Sequence, residues 1–470
     1  MSMNKKKGMI LIIAIAIAAI FFMISPFKGL EAPAMRYMGI FIGMIIILIA
    51  NALPDAVTII LALTALTVFR VDTQAAIWSS FGGTVVWLMI PAFAIGTAVA
   101  KTGLLSRMAL WILKAFPSKY GGQILAQMIS GIIMSPLIPS QNAKATIVTP
   151  YALSMCRELG YKKSSKPAVG IFLAMYTTAV TLGVCFLSGS INSFVIQGFL
   201  TDAQKAQFGW GNWFLGALPS LVVILVLLYL YLSRAYQPGK DEISFSDSQE
   251  YARKRLAEIG PLSKDEKVAI VVLAFTLIGW MTTKIHGLDA SMVAMLAMIA
   301  FFVLGQFTMT DFQSKIPWSA VVFVGGINAV AGILSAVGLN KWIALNLQPL
   351  TNLFTTNVIL VIIAVCVLAF LMRMAILSFV VVTAVVATIF TPICVAMGIS
   401  PWIPLYAQII IAMNWSLSFT NSQMITALAA GGGSDLLEYR DTQKASYVYS
   451  AIAFAGILVS IPFWKMMGLW

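Results

Sequence analysis

Charge is what this sequence has least of. Only 10% of its 470 residues are Asp, Glu, Lys or Arg, against 60% hydrophobic, and the mean hydropathy is +0.93. A water-soluble chain of this length could not cover its core with so few charges. Histidine is almost missing too: His286 stands alone, near Asp289 in a short loop, and reads as a surface residue. The four cysteines, Cys156, Cys185, Cys366 and Cys394, are scattered through apolar sequence. They show neither metal-ligand spacing nor a disulfide framework. No serine has an evident base partner, so the chain does not read as an enzyme. Carboxylates are nearly absent from the apolar runs, with Asp55, Asp72 and Asp311 at or just beyond their ends. Sodium/proton antiport needs buried carboxylates to take up and release protons, so this absence argues against it. No separate soluble signalling domain is visible, which disfavours a membrane receptor.

What remains is a series of apolar runs near twenty residues, the length that crosses hydrocarbon as a helix. They do not alternate polar and apolar positions as barrel strands do. The fold class is therefore all-α, a polytopic membrane protein. Candidate spans lie near 9–26, 35–53, 57–69, 84–100, 168–187, 213–233, 268–285, 289–306, 319–337, 402–419 and 444–464, about eleven transmembrane helices. Lys5-Lys6-Lys7 precede the first span and place the N-terminus in the cytoplasm. That span lacks a clear small-residue cleavage site, so it reads as retained rather than as a signal peptide. The net charge of +13 belongs to loop cations that set topology in the cytoplasmic (inner) membrane, not to nucleic-acid binding.

Two further apolar regions, near 122–156 and 356–398, are too long for one crossing, and each is interrupted at its middle. Both read as re-entrant hairpins, which membranes tolerate only where the irregular backbone is buried in protein or lines a wet cavity. The segment Ala145-Thr146-Ile147-Val148-Thr149-Pro150 in the first recurs as Ala387-Thr388-Ile389-Phe390-Thr391-Pro392 in the second, 242 residues on (392 − 150). Each hairpin is also preceded by a Gly-Leu pair, Gly103-Leu104 and Gly338-Leu339, opening the candidate interfacial helices Gly103–Phe116 and Gly338–Leu347. The organisation expected is a tail and first span over 1–34, a repeat over 35–233, a cytoplasmic linker over 234–267 and an inverted repeat over 268–470. Repeated, broken helices in a membrane chain point to a secondary transporter whose substrate sits where the halves meet.

The first hairpin turns at Pro139-Ser140-Gln141-Asn142-Ala143-Lys144. Proline ends one half-helix, and Ser140 can cap the next and leave its free backbone N–H groups facing the membrane centre. That is a site for a carboxylate oxygen. Ser140, Gln141 and Asn142 add side-chain groups. A second pair of polar breaks follows the hairpins, Ser188-Gly189-Ser190-Ile191-Asn192-Ser193 and Ser418-Phe419-Thr420-Asn421-Ser422-Gln423. Ser190, Asn192, Ser193, Thr420, Asn421 and Ser422 are the candidates there. Lys144 and Arg373 lie inside the two hairpins, and intramembrane charges are rare and functional by default. Hydrophobic stems that let both ammonium and guanidinium reach water would be the plain alternative.

These motifs resemble those of the divalent anion/sodium symporter family, the citrate, tartrate and dicarboxylate carriers of the ion transporter superfamily. The family's Ser-Asn-Thr hairpin motif with a proline about ten residues on matches Ser140-Gln141-Asn142 through Pro150. Its second copy falls on Val382-Thr383-Ala384 through Pro392, which adds Thr383 to the candidates. Gly189–Ser193 and Thr420–Gln423 occupy the places of the family's later Gly-Thr-Pro-Pro-Asn motif. The resemblance implies an elevator-type carrier, a homodimer, and small organic dianions such as succinate, malate, 2-oxoglutarate, tartrate or citrate as cargo. It also implies sodium coupling. Here the chain departs from the family, because the second copy lacks the Ser and Asn and the first has Gln for Asn. No cofactor is expected. Lys144 and Arg373 would take the electrostatic place of the two sodium ions, which makes the carrier an anion exchanger, with sodium-coupled symport as the alternative.

Overall fold

The computed structural model describes residues 5–239, 247–346 and 357–470. Every described regular element is helical. The eleven expected spans all fall on helices: Lys5–Met23, Ala32–Ile49, Asp55–Val68, Thr84–Thr102, Lys166–Ala179, Trp210–Ala235, Lys264–Met281, Ala290–Val303, Trp318–Ala336, Trp402–Ala412 and Tyr439–Met466. By length and composition eight helical segments can cross a bilayer, and shorter apolar helices join them. The chain is a multi-pass membrane protein. Position in the fold follows from what each helix packs against. Lys166–Cys185 is wholly buried and forms the centre, whereas Lys5–Met23 is 6% buried and presents Ile12, Ile15 and Ile20 outward. Apolar residues exposed in this way suit hydrocarbon rather than water.

Two helix–break–helix units occupy the interrupted regions. In the first hairpin a leading limb, Tyr120–Met134, and a trailing limb, Gln141–Glu158, meet at Ser135–Ser140. In the second, Val358–Arg373 and Phe379–Ala396 meet at Met374–Ser378. Residue 356, at the start of the second expected hairpin, lies outside the described residues, as do Leu347 of the candidate interfacial helix and 240–246 of the linker.

The order of elements repeats with the sequence. Thr84–Thr102 leads through Gly103 into the short helix Leu104–Ala115, and Trp318–Ala336 leads through Gly338 into Leu339–Asn346. Both glycines take positive φ, 82° and 73°, a turn that other residues adopt only with strain. After each hairpin come a buried helix (Lys166–Ala179; Trp402–Ala412), a stretch without α-helix that carries short 3-10 turns, an eight-residue helix (Ile191–Gly198; Ser422–Ala429) and a long helix (Trp210–Ala235; Tyr439–Met466). The two long helices pack on one another.

The described part of the segment between the two halves is anchored. Its helix Ser248–Ile259 packs against Leu104–Ala115. Arg107, buried on that short helix, donates to Glu266 Oε1 at 2.7 Å and to the carbonyls of Gly260 and Pro261 at 2.7 and 3.2 Å.

Candidate functional site

Five helices begin at one cavity, and side chains cap four of them. Ser140 caps the trailing limb of the first hairpin by accepting from the Ala143 N–H at 3.2 Å. Ser378 caps the trailing limb of the second through the Val381 N–H at 3.4 Å. Ser190 caps Ile191–Gly198 through the Asn192 N–H at 3.1 Å, and Asn421 caps Ser422–Ala429 through the Met424 N–H at 2.8 Å. The first turns of all four, at Gln141-Asn142, Phe379-Val380, Ile191-Asn192 and Ser422-Gln423, line a cavity of about 300 Å³. Leu48, Ile49, Asn51 and Asp55 also line it. Each first turn has backbone N–H groups without helical partners and the positive end of a helix dipole. Their convergence makes an anion site large enough for a small organic acid. Asn192 is buried to 2% exposure, and its Oδ1 has no hydrogen-bond partner. That oxygen is an acceptor, held ready for a donor group on a ligand rather than for a carboxylate oxygen.

Behind these tips stand the two intramembrane cations, and both are completely buried. Neither reaches water along its stem. Among the described residues neither pairs with a carboxylate. Lys144 Nζ donates to the Gly189 carbonyl at 2.6 Å and to Ser135 Oγ at 3.3 Å. It thereby joins the hairpin break to the stretch without α-helix that follows Lys166–Ala179. Room for the ammonium exists only because residue 183 is glycine; a Cβ there would stand 2.5 Å from Nζ. Arg373 does the same work in the second half with more bonds. Its Nη1 donates to Ile376 and Leu377 carbonyls at 2.6 and 2.7 Å, its Nε to Ala412 at 3.0 Å and its Nη2 to Thr420. The guanidinium also lies over the Phe379 ring, 3.8 Å from its centroid, a cation–π contact. The carbonyls at breaks and helix ends are partial negative charges, so the guanidinium is held by four carbonyl oxygens and the ammonium by one carbonyl and one hydroxyl oxygen.

The remaining candidates divide by role. Ser140, Gln141, Asn142, Asn192 and Ser422 line the cavity. Ser190 and Asn421 sit one residue before lining positions, as caps. The Ser193 hydroxyl donates to the Phe186 carbonyl at 3.3 Å, and the Thr420 hydroxyl to Leu417 at 2.9 Å, so both stabilise the stretches without α-helix. Thr383 is buried one turn inside its helix, donating to Phe379 O at 3.0 Å and accepting from Gln408 Nε2 at 2.8 Å. The second tip starts at Ser378, four residues ahead of the frame that the hexapeptide repeat suggests. Ala145 follows its cap by five residues and Ala387 follows its cap by nine, so the second limb is one turn longer. The local signal for Ser378 was present, a lone serine before an apolar run five residues after Arg373. Asn51 and Asp55 carried no such signal, because packing alone brings them to the cavity.

The two capping-region asparagines make a test of site against scaffold. Asn421 accepts from Tyr176 Oη at 3.2 Å and donates to the Asn414 carbonyl at 3.0 Å besides its cap. Asn192→Ala is expected to raise the half-saturating anion concentration about tenfold with little change in melting temperature, since the bond it loses is to ligand. Asn421→Ala is expected to lower both affinity and melting temperature. Thermal melting and anion titration of the two purified variants check the pair.

Comparison with known proteins agrees with this architecture. An inner membrane protein, YbhI, of Escherichia coli (strain K12) is 30% identical over 73% of this chain and 73% of its own length. The L-tartrate/succinate antiporter of Escherichia coli O6:K15:H31 (strain 536 / UPEC) is 25% identical over 96% of this chain and 92% of its own. The crystal structure of the Alcanivorax borkumensis YdaH transporter shares the fold, with a TM-score of 0.57 at 15% identity over 83% of this chain and 88% of that one. The family model for the sodium:sulfate symporter transmembrane region matches residues 5–470, and with paired broken helices running through the same residues, the chain belongs to that family of membrane transporters.

Proposed function

We propose that this protein is a secondary active transporter that exchanges one di- or tricarboxylate anion for another across the cytoplasmic membrane. The observation that carries the reading is the convergence of four capped helix N-termini on one cavity, backed by two buried cations that no carboxylate among the described residues neutralises. A dianion in the cavity supplies the missing negative charge. An empty site leaves both cations uncompensated in low dielectric, which is costly, so return of the empty carrier is disfavoured and exchange follows. The L-tartrate/succinate antiporter's name describes this kind of cycle for a relative. Succinate, malate, 2-oxoglutarate, tartrate and citrate are the cargo class.

The moving part is the body that holds the hairpins and broken helices; the frame comprises Ala32–Ile49, Asp55–Val68 and their counterparts in the second half. The halves are inverted repeats, the movement is an elevator slide, the N-terminus is cytoplasmic and the carrier is a homodimer. Sodium-coupled symport is the second reading, favoured by the sodium:sulfate symporter match. Sodium/proton antiport and a receptor role have less in their favour.

Counterflow in proteoliposomes separates the readings. Labelled succinate is expected to enter vesicles preloaded with dicarboxylate at least about tenfold faster than empty ones, equally in sodium and potassium buffers. Uptake into empty vesicles that requires sodium would establish symport instead.

A further inference from the structure

The cavity contains one group that an anion site should not want. Asp55 lines it together with the first hairpin tip, at the start of the frame helix Asp55–Val68. That helix packs on Ala32–Ile49 and Trp318–Ala336, so its position is set by the frame and not by the hairpins. The carboxylate is half-buried. It makes no cap, the N-cap position being Pro54 with no side-chain hydrogen bond, and it joins no ion pair among the described residues. A bare carboxylate facing a dianion costs affinity through like-charge repulsion. It gains affinity only if the cargo presents a donor to it.

The rest of the lining presents mainly donors, four capped helix first turns and the amide N–H groups of Asn142, Asn192 and Gln423, with the Asn192 Oδ1 and Gln423 Oε1 as neutral acceptors, so Asp55 is the charged acceptor of the lining. Carboxylate oxygens of a cargo are satisfied by those donors. A hydroxyl on its carbon chain is different, because its O–H needs an acceptor, and an ionised carboxylate is a pure acceptor. Hydrogen bonds to charged groups are the stronger ones, and a site built around such a bond discriminates sharply against analogues that lack the hydroxyl. Asn51, whose backbone turns through φ 48° just ahead of this helix, is the neighbouring polar group on the same wall.

We infer that Asp55 is a specificity-determining residue, accepting a hydrogen bond from the hydroxyl of a hydroxylated dicarboxylate and disfavouring dicarboxylates without one. The inference rests on the carboxylate-exchange reading and names which members of that class the cavity selects. It also divides the labour between the two bodies: the hairpins bind the charged ends, and the frame reads the carbon between them.

The test is a counterflow panel with succinate, L-malate and L-tartrate, run on the full-length protein and on Asp55→Ala and Asp55→Asn. The unaltered protein is expected to prefer L-malate over succinate in kcat/KM. In Asp55→Ala that ratio is expected to fall about tenfold or more. Part of the fall comes from weaker malate transport and part from tighter succinate binding once the repulsion is gone. Asp55→Asn, nearly the same shape with a weaker acceptor, is expected to fall between the two and serves if the alanine variant does not fold. A malate-to-succinate ratio that is at or below one in the unaltered protein, or that both variants leave unchanged, would overturn the inference. So would an equal loss for all three anions, which is what a merely structural role predicts. Failure of the exchange reading itself looks different: none of the three anions would show counterflow in the unaltered protein.

Discussion

Arg373→Ala is expected to reduce dicarboxylate counterflow at least about 100-fold, and Arg373→Lys is expected to recover little of it. The guanidinium holds four carbonyls at once, from Ile376 and Leu377 in the hairpin break, Ala412 at the end of Trp402–Ala412, and Thr420 in the stretch without α-helix beyond. Removing it leaves four buried acceptors without that donor. At about 1 kcal/mol or more for each, the organised break beneath the second tip loses on the order of 4 kcal/mol. Lysine restores the charge but not the planar fork: a compact ammonium cannot span groups that arginine reaches from three nitrogens. The stacking over Phe379, itself a cavity-lining residue, is weakened as well. The measurement is initial-rate counterflow of labelled succinate per unit of reconstituted protein. Near-normal rates in both variants would mean that the fixed charge is dispensable.

Lys144→Met should come next in size, with a loss of about 30-fold, falling more on KM than on the maximal rate. Methionine keeps most of the volume, so the variant isolates the ammonium. Two bonds disappear, one to a carbonyl and one to a hydroxyl, and charged hydrogen bonds are worth about 1.5–3 kcal/mol each when net effects are measured. With the ammonium goes the nearest fixed positive charge under the first hairpin tip. Lys144→Arg is also expected to fail. The space around Nζ is closed by Gly183, where even a Cβ would stand 2.5 Å from Nζ, and by the Gly189 carbonyl 2.6 Å from Nζ, and a guanidinium overfills it. Saturation curves for L-malate on the three proteins decide the matter; an unchanged KM in Lys144→Met would remove the electrostatic role assigned to this residue.

Much of this molecule could be read along the chain because a bilayer imposes simple local rules. A backbone without water must satisfy its own hydrogen bonds, so long apolar runs became helices, and each of the eleven expected spans coincides with a helix, although the one expected over 402–419 ends at Ala412. The polar interruptions were legible for the converse reason, since irregular backbone at depth needs caps and donors. Ser140 and the Ser190–Asn192 and Asn421–Ser422 pairs stood out as polar residues in apolar surroundings. Ser378 was missed because the repeated hexapeptide set the frame, and that hexapeptide aligns the limbs while the tips differ by one turn. The true tip is a short-range capping event, decided by where Arg373 can gather its carbonyls.

By itself, then, the order of residues determined the helices, the paired interruptions and the presence of two cations where hydrocarbon should exclude them. Those properties depend on neighbours within a few turns and on transfer from water. Tertiary structure alone decided that four separate capped helix N-termini line one cavity, that Lys144 and Arg373 grip carbonyls of neighbouring segments, and that Asp55 lines the same cavity. The reason is geometric. Those groups come from segments far apart along the chain, and which of them meet depends on how whole helices pack, a choice that no local propensity encodes.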